Sequence, residues 1–306
     1  FFVSNPGDGE VAAPEVLLGS VQSVDNLTHE AQTVSFEGGA TFDNVVVFAT
    51  PATRNGSHAV TVEFSKVTST GVTLYLEEPD SYDGKHVEEQ VSLVAFEEGT
   101  FELADGSLLQ VGTAATVKGP TETFQDVTFD VEFDELPVIL LQVQTNNGTD
   151  WEIVRAQNVT TTGFEFALQE AEDADGRHTS EIVGWAALDA SSADGIVDWN
   201  GVMGEAFNTG PIVDHTPDEF VFNSDIGTTP LIAASMTTFN GSDTANIRLT
   251  SLADDGSAAT ASFVVSEEFT LDDEMLHVQE EVTGIAFADS GLLMGFEFAE
   301  DPLMLA

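Results

Sequence analysis

One pattern recurs three times in this chain and constrains its fold more than any other feature. His86, His178 and His277 each open H-x-x-E-x-V-x-x-x-A, continuing to Glu89, Val91 and Ala95, to Glu181, Val183 and Ala187, and to Glu280, Val282 and Ala286. Asn-Gly recurs at Asn55, Asn147 and Asn240, at spacings of 92 and 93 residues. Thr70-Gly71, Thr162-Gly163 and Asp255-Gly256 keep that offset, as do Gly19, Gly112 and Gly204, and the third copy inserts six residues before its histidine. Landmarks in a fixed order at constant spacing identify three homologous units of about 92 residues. The expected division is a leader or docking segment over 1–13, units over 14–98, 99–191 and 192–291 (the last divergent), and a C-terminal tail over 292–306.

Within a unit, short runs rich in Val, Thr, Phe and Leu are broken by Gly, Asn and Asp, as in "NVVVFAT" (44–50), "AVTVEFSKV" (59–67), "GVTLYLEE" (71–78) and "VSLVAFEE" (91–98). No helical period holds over a dozen residues, so the fold class is all-β, three tandem antiparallel β-sandwiches. In the repeated run, the positions three, five, seven and nine after the histidine share one strand face and are expected in the core. The histidine has the opposite parity. In a regular strand it points away from the glutamate of H-x-x-E, which argues against a two-ligand metal pair.

Charge decides the setting. Fifty-four acidic residues against 7 basic ones give a net charge of −47 over 306 residues. Self-repulsion on that scale destabilises a fold at low salt, and molar salt shortens the Debye length to about 3 Å and screens it. The acids are spread between apolar runs rather than gathered in a tail, so a protein of a hypersaline organism or its virus is expected. There is no basic patch to neutralise phosphates, which excludes nucleic acid as a partner. Absence of cysteine removes disulfides, thiolate metal sites and thiol nucleophiles together. No stretch approaches the roughly 20 apolar residues that span a bilayer, so no membrane insertion is expected. The chain begins at Phe1, so an export signal is expected to have been removed or to lie outside this sequence.

The succession "PVILLQVQTNNG", "AQNVTTTGFEFALQE", "DGRHTSEIVGWAAL" across 137–188 resembles an H-type lectin domain, the sugar-binding module of discoidins and snail agglutinins. The first unit is similar through "VVVFATPATRNG", "SKVTSTGVTLYLEE" and "DGKHVEEQVSLVAFEE", and the third is degenerate in its middle. The resemblance implies a six-stranded antiparallel sandwich that assembles as a trimer and binds sugars through loops near protomer boundaries. Either a homotrimer or an intrachain pseudo-trimer satisfies that implication, and so do beads along a fibre. The family's sugar-holding regions correspond here to Trp151 and Arg155, and to the acidic loop from Glu170 to His178.

The residues themselves add further candidates. Trp151 or Tyr82 offers a ring to stack on a pyranose, with carboxylates accepting bonds from hydroxyls. Two of the 7 cations, Lys85 and Arg177, directly precede His86 and His178, so these loops either reach a ligand or tie themselves to a neighbouring carboxylate. Calcium is the candidate cation at Asp80 and Asp83 or at Asp173 and Asp175, because hard cations take oxygen ligands, and the spacing is not that of an EF-hand. No other cofactor is called for. Five N-x-[ST] sequons, at Asn26, Asn55, Asn147, Asn158 and Asn240, are glycosylation candidates, although Asn-Gly also suits a tight hairpin. No G-x-S-x-G elbow, H-E-x-x-H or phosphate loop is present, and paired carboxylates carry no specificity in such a composition, so an enzyme is not expected.

These readings combine into a non-enzymatic adhesion protein, extracellular or on a virion surface in a hypersaline setting. Its expected partners are cell-surface glycans and other virion or surface subunits, and a haloarchaeal virus tail-fibre or spike subunit is the favoured form. The alternative is a structural subunit of an archaeal extracellular filament or surface layer that binds no sugar.

Overall fold

A computed structural model describes residues 13–224, 226–254, 258–271 and 275–299. Most of the expected 1–13 leader, residues 300–306 of the expected tail and the landmark Asp255-Gly256 lie outside them. The chain is all-β, as the alternating patterns predict, and one arrangement occurs three times. In the first unit the sheet runs Val45–Pro51, Glu89–Glu97, Val16–Leu27, in the second Val138–Val143, Ile182–Asp189, Leu108–Ala115, and in the third Leu231–Met236, Glu280–Phe287, Met203–Val213. A second three-stranded sheet packs on each: Gln32–Ser35, Gly71–Glu77 and Thr61–Thr68; Gln125–Thr128, Gly163–Glu170 and Glu152–Thr160; Asp218–Val221, Ala259–Glu267 and Ala245–Asp254. All pairings between these strands are antiparallel.

Each unit keeps a core of its own between its two sheets, centred on Phe64, Phe166 and Phe263. A fourth core joins them: Val46 and Phe48, Leu140 and Ala186, and Ala233 and Ile285 come from all three units and are buried together. The central strand is therefore buried on both faces, so only one of its two sets of side chains was foreseen as core. Val91, Leu93 and Ala95 face the unit's own sandwich, while Val94 and Phe96 join the shared core. A near-continuous apolar run is what a strand covered on both sides needs.

The first strand of each central sheet is an edge, and an edge leaves a row of backbone groups without partners. The next unit supplies side chains to meet them. Val47 N–H donates to Gln144 Oε1 at 2.9 Å while Gln144 Nε2 donates to Val47 O at 2.8 Å. Leu141 N–H donates to Ser235 Oγ at 2.8 Å, and Ala234 N–H donates to Thr50 Oγ1 at 3.2 Å. First to second, second to third and third to first, the chain closes a cycle on itself.

The sheets of the first two units are also joined. Gly291–Glu297 pairs with Val16–Leu27 on one side and with Gly99–Glu102 on the other, making one eight-stranded sheet. The segment set apart as a tail thus includes a strand that clips two units together.

Candidate functional site

The repeated motif is a loop lock. The glutamate three residues after each histidine accepts the backbone N–H groups of the Asn-Gly turn: Glu89 from Asn55 and Gly56 at 2.9 and 3.1 Å, Glu181 from Asn147 and Gly148 at 2.7 and 2.8 Å, and Glu280 from Asn240 and Gly241 at 2.9 and 2.7 Å. Each Asn side chain donates back to the carbonyl preceding that glutamate, at 2.7, 3.0 and 2.8 Å. Glycine is required because a Cβ would lie 2.5, 2.2 and 2.5 Å from the rings of His86, His178 and His277. The expectation that His and Glu of H-x-x-E diverge is corrected here: His86 Nε2 lies 3.0 Å from Glu89 Oε1, and His277 Nε2 lies 3.1 Å from Glu280 Oε1. Both histidines precede the strands that begin at Glu89 and Glu280, so strand alternation does not govern them. Burial would raise the Glu89 and Glu280 carboxyls, but bonds from the histidine, from a threonine and from the turn hold both down at about 2.

Two of the three junctions between units carry a buried guanidinium. Arg155 of the second unit donates to Glu280 of the third at 2.6 Å and to the carbonyls of Thr238 and Gly241, with the Phe239 ring 4.0 Å from its guanidinium carbon. Arg248 of the third unit donates to Glu89 of the first at 3.0 Å and to the carbonyls of Thr53 and His58. Both arginine side chains are fully buried. Counting back by the repeat spacing, the same position in the first unit is Glu63, which faces the second unit.

The junction of units one and two is therefore built differently. Glu152, His178 and Glu181, all buried, bring one ligand atom each within 4.8 Å of one another. His178 Nε2 lies 3.3 Å from Glu152 Oε2, and its Nδ1 lies 2.9 Å from Thr179 O and 3.8 Å from Glu181 Oε1. In the first unit the equivalent ring turns Nδ1 to Glu78 at 2.8 Å; its counterpart Glu170 instead accepts Arg177 N–H at 3.1 Å. Glu63 Oε2, Glu152 Oε1 and Glu170 Oε1 are buried without a hydrogen-bond partner. Burial first, and then the charges of Glu152, Glu77 and Glu181, push the Glu63 carboxyl well above the ordinary range. Burial also raises Glu77 to about 7, and the bond that the His178 ring donates to the Glu152 carboxylate raises His178 to about 9.

No family model matches the chain, and no solved structure matches it. It is similar to a halomucin. That protein, from Haloquadratum walsbyi (strain DSM 16790 / HBSQ001), is 30% identical over 166 residues, which is 53% of this chain and 2% of the halomucin. The chain thus spans a small fraction of the length of the curated relative it matches.

Several of the expected sugar contacts are not on the surface. Trp151 is 1% exposed, and its Nε1 donates to Glu77 O at 3.1 Å, so the ring fills the first junction instead of offering a face to a pyranose. Arg155, His86 and His178 are buried too, for the reasons given above. Tyr82 is half-buried between His58 and Phe269, its ring centroid 4.7 Å from each. Lys85 and Arg177 are exposed, as are Asp80, Asp83, Asp173 and Asp175. Asp83 and Asp175 cap their own turns by accepting the N–H groups of Lys85 and Arg177. None of the four aspartates belongs to the compact ligand set, which is built from Glu152, His178 and Glu181 instead. Asn26, Asn55, Asn147, Asn158 and Asn240 are all exposed, the first and fourth with φ of 55° and 52°.

The acidic loops nonetheless gather. Ser81 Oγ donates to Asp173 Oδ2, Asp173 N–H donates to Thr270 Oγ1 at 3.3 Å, and Phe269 N–H donates to the Tyr82 hydroxyl at 2.9 Å. One loop from each unit thus meets the other two in a crown. A cavity of about 90 Å³ between the units, lined by the equivalent sets Thr50, Gln142, Ser235 and Val62, Val154, Ile247, is far below the roughly 300–1,000 Å³ of ligand pockets.

Sequence reasoning missed Glu63, Glu152 and Glu181 as a group. The signal was present, since Glu63, Arg155 and Arg248 stand at the same spacings of 92 and 93 as the Asn-Gly turns.

Proposed function

We propose that this chain is a non-enzymatic binding module of an extracellular surface in brine, meeting surface glycans through the crown of loops that its three units bring together. The observation that carries the reading is the set of contacts joining Ser81 to Asp173, Asp173 to Thr270 and Tyr82 to Phe269. Exposed Lys85 and Arg177 flank this crown and supply donors to hydroxyls or to acidic sugars. Two three-stranded antiparallel sheets per unit are compatible with the six-stranded sandwich that the H-type-lectin resemblance implies, and the similarity to a mucin of a salt-loving organism supports a cell-surface setting over a tail fibre. Individual shallow sites bind weakly, so affinity would rise by repetition, about 10²- to 10⁴-fold for linked sites of suitable geometry. The exposed sequons fit a glycosylated surface protein, and intact-mass measurement on native material tests that directly.

A second reading, a scaffold of a surface layer or filament that holds no sugar, is favoured by one observation: Trp151 is spent on packing between units. A glycan array in molar salt separates the two. Specific binding that falls in a Lys85→Ala/Arg177→Ala double variant of unchanged thermal midpoint supports attachment. A blank array beside ordered polymers in electron micrographs supports the scaffold.

A further inference from the structure

The three junctions between units are variations on one design, and their difference is informative. At two of them a buried guanidinium, Arg155 or Arg248, meets the glutamate of the neighbouring loop lock. At the third, the equivalent position holds Glu63, 2% exposed, facing Glu152 and the loop-lock glutamate Glu181. Exchanging a guanidinium for a carboxyl removes the cation at that position, and no other arginine or lysine belongs to the set. A buried carboxylate oxygen without a partner is costly, and more so when it is charged. Here Glu63 Oε2 and Glu152 Oε1 are both left so.

We propose that this junction is a binding site for one divalent transition-metal ion, held by Glu152, His178 and Glu181 with the buried Glu63 carboxyl facing them, which takes the place of the guanidinium at the other two junctions. The donor set fits. Imidazole nitrogen with carboxylate oxygens suits zinc and its neighbours, whereas calcium and magnesium take oxygen alone. Nδ1 of His178 lies 2.9 Å from Thr179 O, and donating there leaves Nε2, which lies 3.3 Å from both Glu152 Oε2 and Asp150 O, as the metal-facing atom. Such a second bond from the ligating ring to a backbone carbonyl is the usual way that tautomer and orientation are fixed. The arrangement also explains why His178 does not take the orientation of His86, whose ring bridges Glu78 and Glu89. These three ligands belong to the second unit and Glu63 of the first unit faces them, so the ion would draw the first unit to the second where, among the described residues, no ion pair does. Glu63, Glu152 and His178 lie on three separate strands of the closed ring, which presents them preformed.

The test uses the full chain in molar sodium chloride, stripped with a chelator and titrated with Zn²⁺ and Mn²⁺, with Ca²⁺ and Mg²⁺ as comparators. Metal content after dialysis and thermal midpoint are read together. The expected result is one tightly held Zn²⁺ or Mn²⁺ per chain with a raised midpoint. The Glu152→Gln/Glu63→Gln variant should lose the bound ion, and Glu63→Arg, which rebuilds the guanidinium bridge of the other junctions, should lose it while folding and becoming indifferent to chelator. The outermost acids bind cations weakly in every variant, so the difference between wild type and Glu63→Arg is the reading. No retained ion in the wild type, or equal retention in Glu63→Arg, overturns the site.

Discussion

Arg155 and Glu280 stand 125 residues apart in sequence and 2.6 Å apart in space, both side chains fully buried. Removing one partner of such a pair leaves the other charge without compensation, at a cost of about 3–5 kcal/mol. Glu280 keeps its bonds from His277, Thr238 and the Asn240-Gly241 turn, so Arg155→Met should fall toward the lower end of that range. Denaturant unfolding in molar salt measures it. An unchanged midpoint would mean that the second and third units do not rest on this contact.

The loop lock depends on an absent side chain. Gly148→Ala places a Cβ about 2.2 Å from the His178 ring, which must move out of a buried position. Overpacking of this kind costs roughly 1–3 kcal/mol. Gly56→Ala and Gly241→Ala should behave alike, since their β-carbons would meet His86 and His277 at 2.5 Å. Thermal unfolding of the three variants side by side checks whether the copies are equivalent.

Acid should loosen the ring from the loop locks outward. Glu89 and Glu280 are held at about 2 against an ordinary 4.5, so between those values the unfolded chain binds protons that the folded chain refuses. Their contribution to stability is fully present above the ordinary carboxyl range and is lost as pH falls toward 2. The unfolding midpoint in molar salt should fall steeply over that window, and less steeply in Glu89→Gln, which has no carboxyl there to protonate. Parallel pH profiles of the two proteins would contradict the assignment.

Trp151 is predicted to matter to folding and not to recognition. Truncation of a buried tryptophan to alanine costs about 3–5 kcal/mol. Trp151→Phe keeps most of the packing and gives up only the bond to Glu77 O, about 1 kcal/mol. Any glycan binding by the folded chain should survive Trp151→Phe unchanged. Its loss would return this ring to the binding surface.

Strand positions and the threefold repetition were legible because alternation, Asn-Gly turns and constant spacing are local signals. What lay between the units was not. Trp151 reads as a half-exposed ring because period-two alternation describes one sandwich in isolation and cannot show that Glu77 of another copy covers it. His86 was placed by strand parity, and parity fails one turn before the strand begins. The lectin resemblance offers Arg155 as a sugar contact by its position after Trp151, but a resemblance within one sandwich cannot show that the guanidinium is buried against Glu280 of the next unit. Exposed acids, by contrast, carry no positional information in a chain of net charge −47, and Asp80, Asp83, Asp173 and Asp175 show it: each is on the surface and two merely cap turns.

The central claim is that the three units close on one another within a single chain, third back onto first. The most direct measurement is a double-mutant cycle between Arg248 and Glu89, 159 residues apart and 3.0 Å from contact to contact, on chain shown by light scattering to be monomeric in molar salt. Closure predicts that Arg248→Met and Glu89→Gln are coupled by about 1–3 kcal/mol in unfolding free energy. Additive effects of the two substitutions in the monomer would mean that the first and third units do not meet, and would contradict the account.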